Sequence, residues 1–169
     1  DLERFENLWI ITDANTVDDI RSISKAMRFD IVIIDYMQLV KPADRYKGNR
    51  AGEVAEISGD LKRMAKELNC HVILLSQLNR KTEDMQKPTM AELREAGNIE
   101  QDASVIMLMW NLDENDRTKK GLKIDKNRQG ECGKIVMKFN GDTMRFEETN
   151  ENCNEVSNWK KADSENPFE

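Results

Sequence analysis

The spacing of apolar residues predicts two amphipathic helices. The first begins after Thr16, a good capping residue whose capping-box partner would be Asp19. Its buried stripe is expected at Val17, Ile20, Ile23 and Met27. The second covers 53–69, and its apolar residues share one face: Val54, Ile57, Leu61, Met64 and Leu68. Gly59 interrupts this helix at a cost of about 1 kcal/mol relative to alanine, so we expect close packing to require a glycine there.

Unbroken apolar runs predict strands in the first half of the chain. LWIIT (8–12), FDIVIID (29–35) and HVILLSQL (71–78) have apolar residues at successive positions. Such runs are typical of parallel strands that are covered by helices on both faces.

The second half of the chain predicts a different kind of sheet. SVIMLMW (104–110) is one more apolar strand. GLKIDKNR (121–128) and KIVMKF (134–139) are joined by a glycine-rich turn, and a second turn leads into TMRFEE (143–148). The order of elements therefore predicts an α/β fold: a mainly parallel sheet with right-handed crossover helices, followed by an antiparallel hairpin region.

Length and charge indicate one domain with an acidic end. The chain has 169 residues and a formal net charge of −6, which argues against a generally basic nucleic-acid-binding protein. Beyond about residue 150 it is polar and acidic, so we expect a domain at 1–149 and a disordered tail at 150–169. No apolar run approaches the ~20 residues of a membrane span. The first residue is Asp rather than Met, so we expect a partial domain from a longer protein.

Positive charge is nevertheless concentrated in two segments, where a polyanion could bind locally. The span 41–50 holds Lys41, Arg45, Lys47 and Arg50 against Asp44 alone. Against Asp125 and Glu131, the span 117–134 holds seven bases: Arg117, Lys119, Lys120, Lys123, Lys126, Arg128 and Lys134. Solvated loops are the alternative explanation for most of these lysines.

The cysteines predict neither a disulfide framework nor a zinc site. Cys70, Cys132 and Cys153 are far apart, and there is no C-x-x-C pair. His71 adjoins Cys70, but two neighbours without further ligands do not hold a metal. We therefore expect a structural Cys70–His71 pair and a reduced, cytosolic setting.

Asp35 and Gln77 are the first candidates for a chemical site. Asp35 comes after the run DIVII, and Ser76-Gln77 comes after HVILL. Ligands of open parallel sheets bind beyond the carboxyl ends of the strands. An acid and an amide at this edge are typical of a nucleotide site, where the acid holds hydrated Mg²⁺ and the amide senses the γ-phosphate. The alternative for Asp35 is a carboxylate that caps the next turn.

The polar segment LREAGNIEQDA (93–103) is the second candidate site. Its one arginine and the backbone N–H groups around Gly97 could hold single-stranded phosphates without reading bases. A solvated connector is the alternative. A short helix predicted from the capping box at Thr89 and Glu92 would extend into this segment and end at Gly97.

Three stretches resemble the C-terminal motor domain of the DnaB family of replicative helicases. They are FDIVIIDYMQLV, EVAEISGDLKRMAKELNCHVILLSQLNR and LREAGNIEQDASVIMLMW, in the family's order and spacing. The resemblance extends over roughly residues 8–146, and the family's LRES-G-x-IEQDAD string is distinctive. It implies a RecA-like fold that works as a ring of six subunits around single-stranded DNA.

The resemblance implies roles for four residues at ATP. Asp35 matches the aspartate that holds Mg²⁺ through water, and Gln77 matches the glutamine that senses the γ-phosphate. Lys126 and Arg128 match the basic pair that reaches the ATP of the neighbouring subunit. Two residues apart on a strand, they would point to one face, and their charge suits a transferring phosphoryl group. Without the resemblance, an exposed basic hairpin face would explain them.

The resemblance also implies a DNA-binding loop. Arg94, Glu95 and Gly97 match the loop whose backbone and arginine follow the DNA phosphates. The family's usual serine between Glu and Gly is Ala96 here, so no hydroxyl is available at that point. Ser104 stands where an acid is usual. These departures remove no named chemical group.

The function that this resemblance implies is ATP-dependent DNA unwinding during replication. ATP and Mg²⁺ would be the cofactors; single-stranded DNA, a primase and a helicase loader would be partners. The chain contains no G-x-x-x-x-G-K-[ST] motif, so we expect it to hydrolyse little ATP alone. A non-catalytic module that binds single-stranded DNA is the alternative. A RecA-type recombinase would share the sheet but not the LREAGNIEQDA string.

Overall fold

The computed structural model describes residues 6–42, 48–77, 97–112 and 116–151. The chain divides into two compact units, the first made of 1–77 and 95–102 and the second of 78–94 and 103–169. From residue 152 onward, the predicted acidic tail lies outside the described residues. No helix in the described segments combines the length and apolarity needed to cross a membrane.

The first unit is an α/β arrangement built on parallel strands. Its described elements are α1 (Val17–Met27), β1 (Ile31–Ile34), a 3₁₀ turn (Met37–Leu39), α2 (Arg50–Leu68), β2 (His71–Leu74) and α3 (Gly97–Asp102). β1 and β2 pair in parallel, with Ile31 opposite His71 and Ile34 opposite Leu74. The predicted parallel β–α–β order is confirmed, with α2 as the crossover helix.

The start of α1 follows the predicted capping box. The N–H of Asp19 donates to Thr16 Oγ1 at 3.1 Å, and the Asp19 carboxylate accepts the N–H of Thr16 at 3.0 Å. Val17 and Ile20 are buried, but the predicted stripe is wrong at Met27, which is 44% exposed. Ser24 is buried instead, because seven residues make nearly two helical turns and place it beside Val17.

The core of the first unit lies on one side of the β1–β2 pair. Ile34 packs there with the predicted face of α2, whose buried apolar residues are Val54, Ile57, Leu61 and Met64. Because α1 and α2 contribute to this same core, the other face is open, and Ile31, Ile33 and Ile73 are 50% or more exposed. The expectation of a sheet covered on both faces is therefore wrong for the described residues.

Two local predictions in the first unit are also wrong. The predicted strand at 8–12 does not form in this part of the structure. Trp9 instead packs against Phe29, with ring centroids 5.4 Å apart. A Cβ atom on Gly59 would meet only Arg63 Nη1 at 3.5 Å and Asp102 Oδ2 at 3.9 Å, which are ordinary contacts. Close packing therefore does not require this glycine.

The second unit contains an antiparallel sheet in its described part. Its strands are β3 (Val105–Asn111), β4 (Lys119–Asn127), β5 (Gly133–Asn140) and β6 (Arg145–Glu148), paired in chain order. The predicted hairpin region is confirmed, and it includes β3. Ile106, Leu108, Leu112 and Val136 are buried, with Trp110 packed against the last two.

Candidate functional site

Asp35 and Gln77 lie beyond the carboxyl ends of adjacent strands. Asp35 directly follows β1, and Gln77 comes three residues after β2 ends at Leu74. The N–H of Leu75 donates to the carbonyl of Ile34 at 3.0 Å, which keeps the two chains side by side beyond the strands. Both candidate side chains are exposed. The predicted placement of an acid and an amide at one sheet edge is confirmed; their roles at ATP stay predictions.

The turn after Asp35 is held against the end of β2. The Asp35–Tyr36 peptide bond is cis. The N–H of Met37 donates to the carbonyl of Leu75 at 2.8 Å, and Met37 is 2% exposed. Tyr36 is the N-cap of the 3₁₀ turn, and no side chain caps it. The alternative in which Asp35 caps this turn is therefore not observed.

Gln38 is a residue at this edge that the sequence reasoning missed. Its side-chain nitrogen Nε2 donates to Ser76 Oγ at 3.3 Å and to the carbonyl of Gln77 at 3.4 Å. A polar residue three positions after Asp35, in an otherwise apolar stretch, was the available signal. Gln38 thus connects the segment after Asp35 with the segment that carries Gln77.

The donor set at this edge suits a hydrated magnesium ion better than a dehydrated metal. No group of three or more His, Cys, Asp or Glu residues that could enclose a metal occurs within the described segments. Mg²⁺ usually keeps several waters and uses one or two carboxylates together with substrate phosphates. A single exposed carboxylate, Asp35, fits that mode.

The basic pair lies at the end of β4, next to a β-bulge. Lys126 is opposite Ile106 and Ile124 is opposite Met107, so Asp125 is an extra residue in β4. The bulge puts Lys126 on the same face as the buried Ile106. The predicted strand (121–128) is shifted toward the C-terminus, because β4 begins at Lys119 and ends at Asn127, so that Arg128 follows it.

Arg128 is nevertheless fixed by its backbone, since its N–H donates to the carbonyl of Ser104 at 3.0 Å. Lys126 is half-buried and the Arg128 side chain is exposed. The prediction that both side chains point to one face relied on the alternating directions of side chains along a strand. Because Arg128 lies outside β4, this stays a prediction.

Nearby acids neutralise part of the basic segment. Lys123 forms an ion pair with Asp125, and both side chains are 20% exposed or less. Lys119 Nζ lies 2.9 Å from a carboxylate oxygen of Glu151. The seven bases of 117–134 therefore do not act as one uncompensated patch.

The candidate DNA-binding segment is only partly described. Arg94, Glu95 and Ala96 lie outside the described residues, as does the predicted capping box. Gly97 belongs to α3, so the expectation that it ends a helix is wrong. Ser58 Oγ donates to Asp102 Oδ2 at 2.9 Å, so that α3 is attached to α2. The C-terminal half of the segment is thus helical rather than an open connector.

The two cysteines of the described residues differ in exposure, since Cys70 is buried and Cys132 is exposed. Cys70 and Cys132 are both free thiols. Burial raises the pKa of the Cys70 thiol, which keeps it protonated and unreactive at neutral pH. Cys70 therefore contributes to packing, as predicted, and Cys153 lies outside the described residues.

Comparison with known proteins gives a consistent family match. The family model described as "DnaB-like helicase C terminal domain" matches residues 4–148. A "Probable plasmid replicative DNA helicase" of Chlamydia psittaci is 39% identical over 142 residues, which is 80% of this chain and 31% of the relative. "Replicative DNA helicase DnaB" of Haemophilus influenzae is 38% identical over 144 residues, 78% of this chain and 31% of the relative. The chain thus spans about a third of the length of these curated relatives.

Two solved structures are similar in both fold and sequence. One is described as an ATPase domain; it aligns with a TM-score of 0.71 and 34% identity, over 78% of this chain and 51% of that one. "The Structure Of A DnaB-Like Replicative Helicase And Its Interactions With Primase" aligns with a TM-score of 0.72 and 32% identity, over 81% and 36% of the two chains.

Proposed function

The chain belongs to the DnaB-like helicase C-terminal domain family and has its RecA-like α/β fold, and we propose that it forms part of an ATP-dependent replicative DNA helicase. The whole protein would couple ATP hydrolysis to movement along single-stranded DNA and to separation of the duplex. The observation that carries this proposal is the placement of Asp35 and Gln77 beyond neighbouring parallel strands. That edge is where nucleotides bind in open α/β sheets.

The two residues at this edge have complementary roles in the proposal. The Asp35 carboxylate holds Mg²⁺ through water, and the Gln77 amide donates a hydrogen bond toward the γ-phosphate. When bound, the magnesium ion neutralises charge that develops on the phosphate oxygens. The exposure of both side chains supports these roles, because a ligand could approach each of them.

Lys126 and Arg128 act on the ATP of a neighbouring subunit in this proposal, within a homohexamer. Their charge would stabilise a transferring phosphoryl group. Two features support a defined position for the pair. Lys126 directly follows the β-bulge in β4, and the N–H of Arg128 donates a hydrogen bond to the carbonyl of Ser104. A pair that acts on a separate subunit needs such a rigid support.

The partners belong to the proposal as well. The side chain of Arg94 and the backbone N–H groups of the loop that contains Glu95 and Gly97 would contact the phosphates of single-stranded DNA. A primase is a reasonable partner, since one similar solved structure is that of a DnaB-like replicative helicase and its interactions with primase. We also propose a helicase loader as a partner and a cytoplasmic setting, where the thiols of Cys70 and Cys132 would remain reduced.

A non-catalytic module that binds single-stranded DNA is the second candidate. The specific observation in its favour is that these 169 residues contain no G-x-x-x-x-G-K-[ST] motif. Such a module would bind DNA with the same residues but would not turn over ATP.

ATPase and unwinding assays on the whole protein that carries this sequence distinguish the two candidates. The helicase proposal expects ATP hydrolysis that single-stranded DNA stimulates, and Asp35→Asn should reduce it about 100-fold. Asp30→Asn is the matched control, because Asp30 is an exposed acid at the opposite end of the same strand. DNA binding without any ATP hydrolysis would favour the non-catalytic module instead.

A further inference from the structure

Gln38 is held in a single amide orientation at the candidate nucleotide edge. Its nitrogen Nε2 lies 3.4 Å from the carbonyl oxygen of Gln77, which can only accept a hydrogen bond. The NH₂ group must therefore face Gln77, and the side-chain oxygen Oε1 must point away from it.

The oxygen of this amide has an unusual environment. Gln38 Oε1 is shielded from solvent, and no group in the described part of the chain donates a hydrogen bond to it. A buried acceptor without a donor is destabilising. An apolar side chain of similar length, such as methionine, would fill the same space without this penalty. Packing alone therefore does not explain a glutamine at this position.

The other residues of the turn already provide its packing. Met37 is 2% exposed and Val40 is 6% exposed, and both belong to the core of the first unit. What Gln38 adds is a pair of hydrogen bonds that cross from the turn after Asp35 to Ser76 and Gln77. These bonds join residues that are 38 and 39 positions apart in the sequence.

We propose that Gln38 is a positioning residue that ties the backbone of Gln77 to the turn after Asp35. The inference rests on the proposed function, because it gives a role to the spacing between the acid and the amide. A fixed spacing keeps both groups oriented toward the same nucleotide phosphates. Gln77 also precedes, along the chain, the segment that carries Arg94 and Glu95. Loss of the tie should therefore weaken the response of ATP hydrolysis to DNA.

Two variants of the whole protein separate positioning from packing. Gln38→Met removes both hydrogen bonds and the unpartnered oxygen, so we expect a melting temperature equal to wild type or about 2–4 °C higher. We expect kcat for DNA-stimulated ATP hydrolysis to fall about tenfold, because the hydrogen bonds that position Gln77 relative to Asp35 are lost. KM for ATP should change less, because Gln38 itself does not touch the nucleotide.

Gln38→Glu gives a readout that a packing role would not produce. Its carboxylate has the volume of the amide but cannot donate to the Gln77 carbonyl, so activity should be low at pH 8. The protonated acid can donate, so the ratio of variant to wild-type activity should rise as the pH falls toward 5. Leu39→Met is the matched control, because Leu39 lies in the same turn and is 60% exposed.

The outcomes distinguish this inference from the proposed function. Wild-type protein without DNA-stimulated ATP hydrolysis would overturn the proposed function itself. An active wild type with Gln38→Met at full kcat would overturn only the positioning role. A Gln38→Met variant that melts well below wild type, together with a Gln38→Glu variant whose relative activity is constant with pH, would assign Gln38 to packing.

Discussion

The indole ring of Trp110 lies directly over Gly121, its partner on the neighbouring strand. A Cβ atom on residue 121 would stand 2.6 Å from Trp110 Cε2, closer than real Cβ atoms approach other atoms. The side-chain hydrogen of this glycine is thus what allows the ring to cover β4 and to pack against Leu112 and Val136. The core of the second unit depends on this contact.

Gly121→Ala should therefore destabilise the protein. The added methyl group forces the indole ring away from the strand, and overpacking of this kind costs about 1–3 kcal/mol. Urea unfolding followed by tryptophan fluorescence measures the loss and reports on the displaced ring. Gly133→Ala is the control, because nothing lies within 4 Å of a Cβ atom at that position. Equal midpoints for the two variants would contradict the role assigned to Trp110.

Gly59→Ala should have the opposite effect. Gly59 lies inside α2, and a Cβ atom there would make only ordinary contacts. Alanine should stabilise the helix by about 0.5–1 kcal/mol. Gly48 has a φ of +90° and provides the contrasting control, since alanine at that residue is strained even though no atom obstructs it. A loss of stability in Gly59→Ala would contradict this expectation and would show that a glycine is required at this position.

The hydrogen bond between Ser58 and Asp102 should contribute measurably to stability. Ser58 is 7% exposed, and Ser58→Ala leaves the half-buried Asp102 carboxylate without this donor, at a cost of about 1–2 kcal/mol. Ser22→Ala, at an exposed position of α1, controls for the helix propensity of alanine. In a double-mutant cycle with Asp102→Asn, the two losses should not add, because the residues share one interaction.

Stability should depend on pH through the capping box of α1. Hydrogen bonds from the hydroxyl and the N–H of Thr16 lower the pKa of Asp19. The ionised carboxylate therefore stabilises the folded state at pH values above its unfolded pKa of about 3.9, and this stabilisation is lost as the pH falls through the lower pKa of the folded state. The urea midpoint should vary less between pH 5 and pH 2 in Asp19→Asn than in wild type. Asp18→Asn is the adjacent charge control.

The proposed action of Arg128 on a neighbouring subunit is tested by mixing variants of the whole protein. Arg128→Ala should lower ATP hydrolysis by at least about 1,000-fold, as for other arginines that act in trans. Arg145→Ala, at an exposed position of β6, is the control. Mixed with Asp35→Asn, the Arg128→Ala protein should regain activity, because some interfaces then combine an intact Asp35 with an intact Arg128. Failure of mixed rings to regain activity would contradict this role.

Much of the fold was predictable because the relevant forces act over a few residues. The capping box joins Thr16 to Asp19 within one turn, and the buried face of α2 follows from helical periodicity. The edge position of Asp35 and Gln77 was also predictable, since polar residues after apolar strands mark the carboxyl end of a parallel sheet.

Other features depend on residues that are distant in sequence. The bulge at Asp125 appears only when β3 pairs with β4, and it decides which face Lys126 occupies. The open face of the parallel pair, with Ile31 and Ile33 exposed, depends on where both helices pack. Apolar spacing within one strand contains no information about either.

The sequence by itself determined the boundaries of α1 and α2 to within a few residues, the parallel β1–β2 arrangement and the candidates for chemistry, because each is encoded by neighbours along the chain. Only the tertiary structure decided that Gln38 bonds to Gln77, that Trp110 covers Gly121 and that α3 is attached to α2. These contacts form between separate elements, and their geometry exists only after the chain has folded.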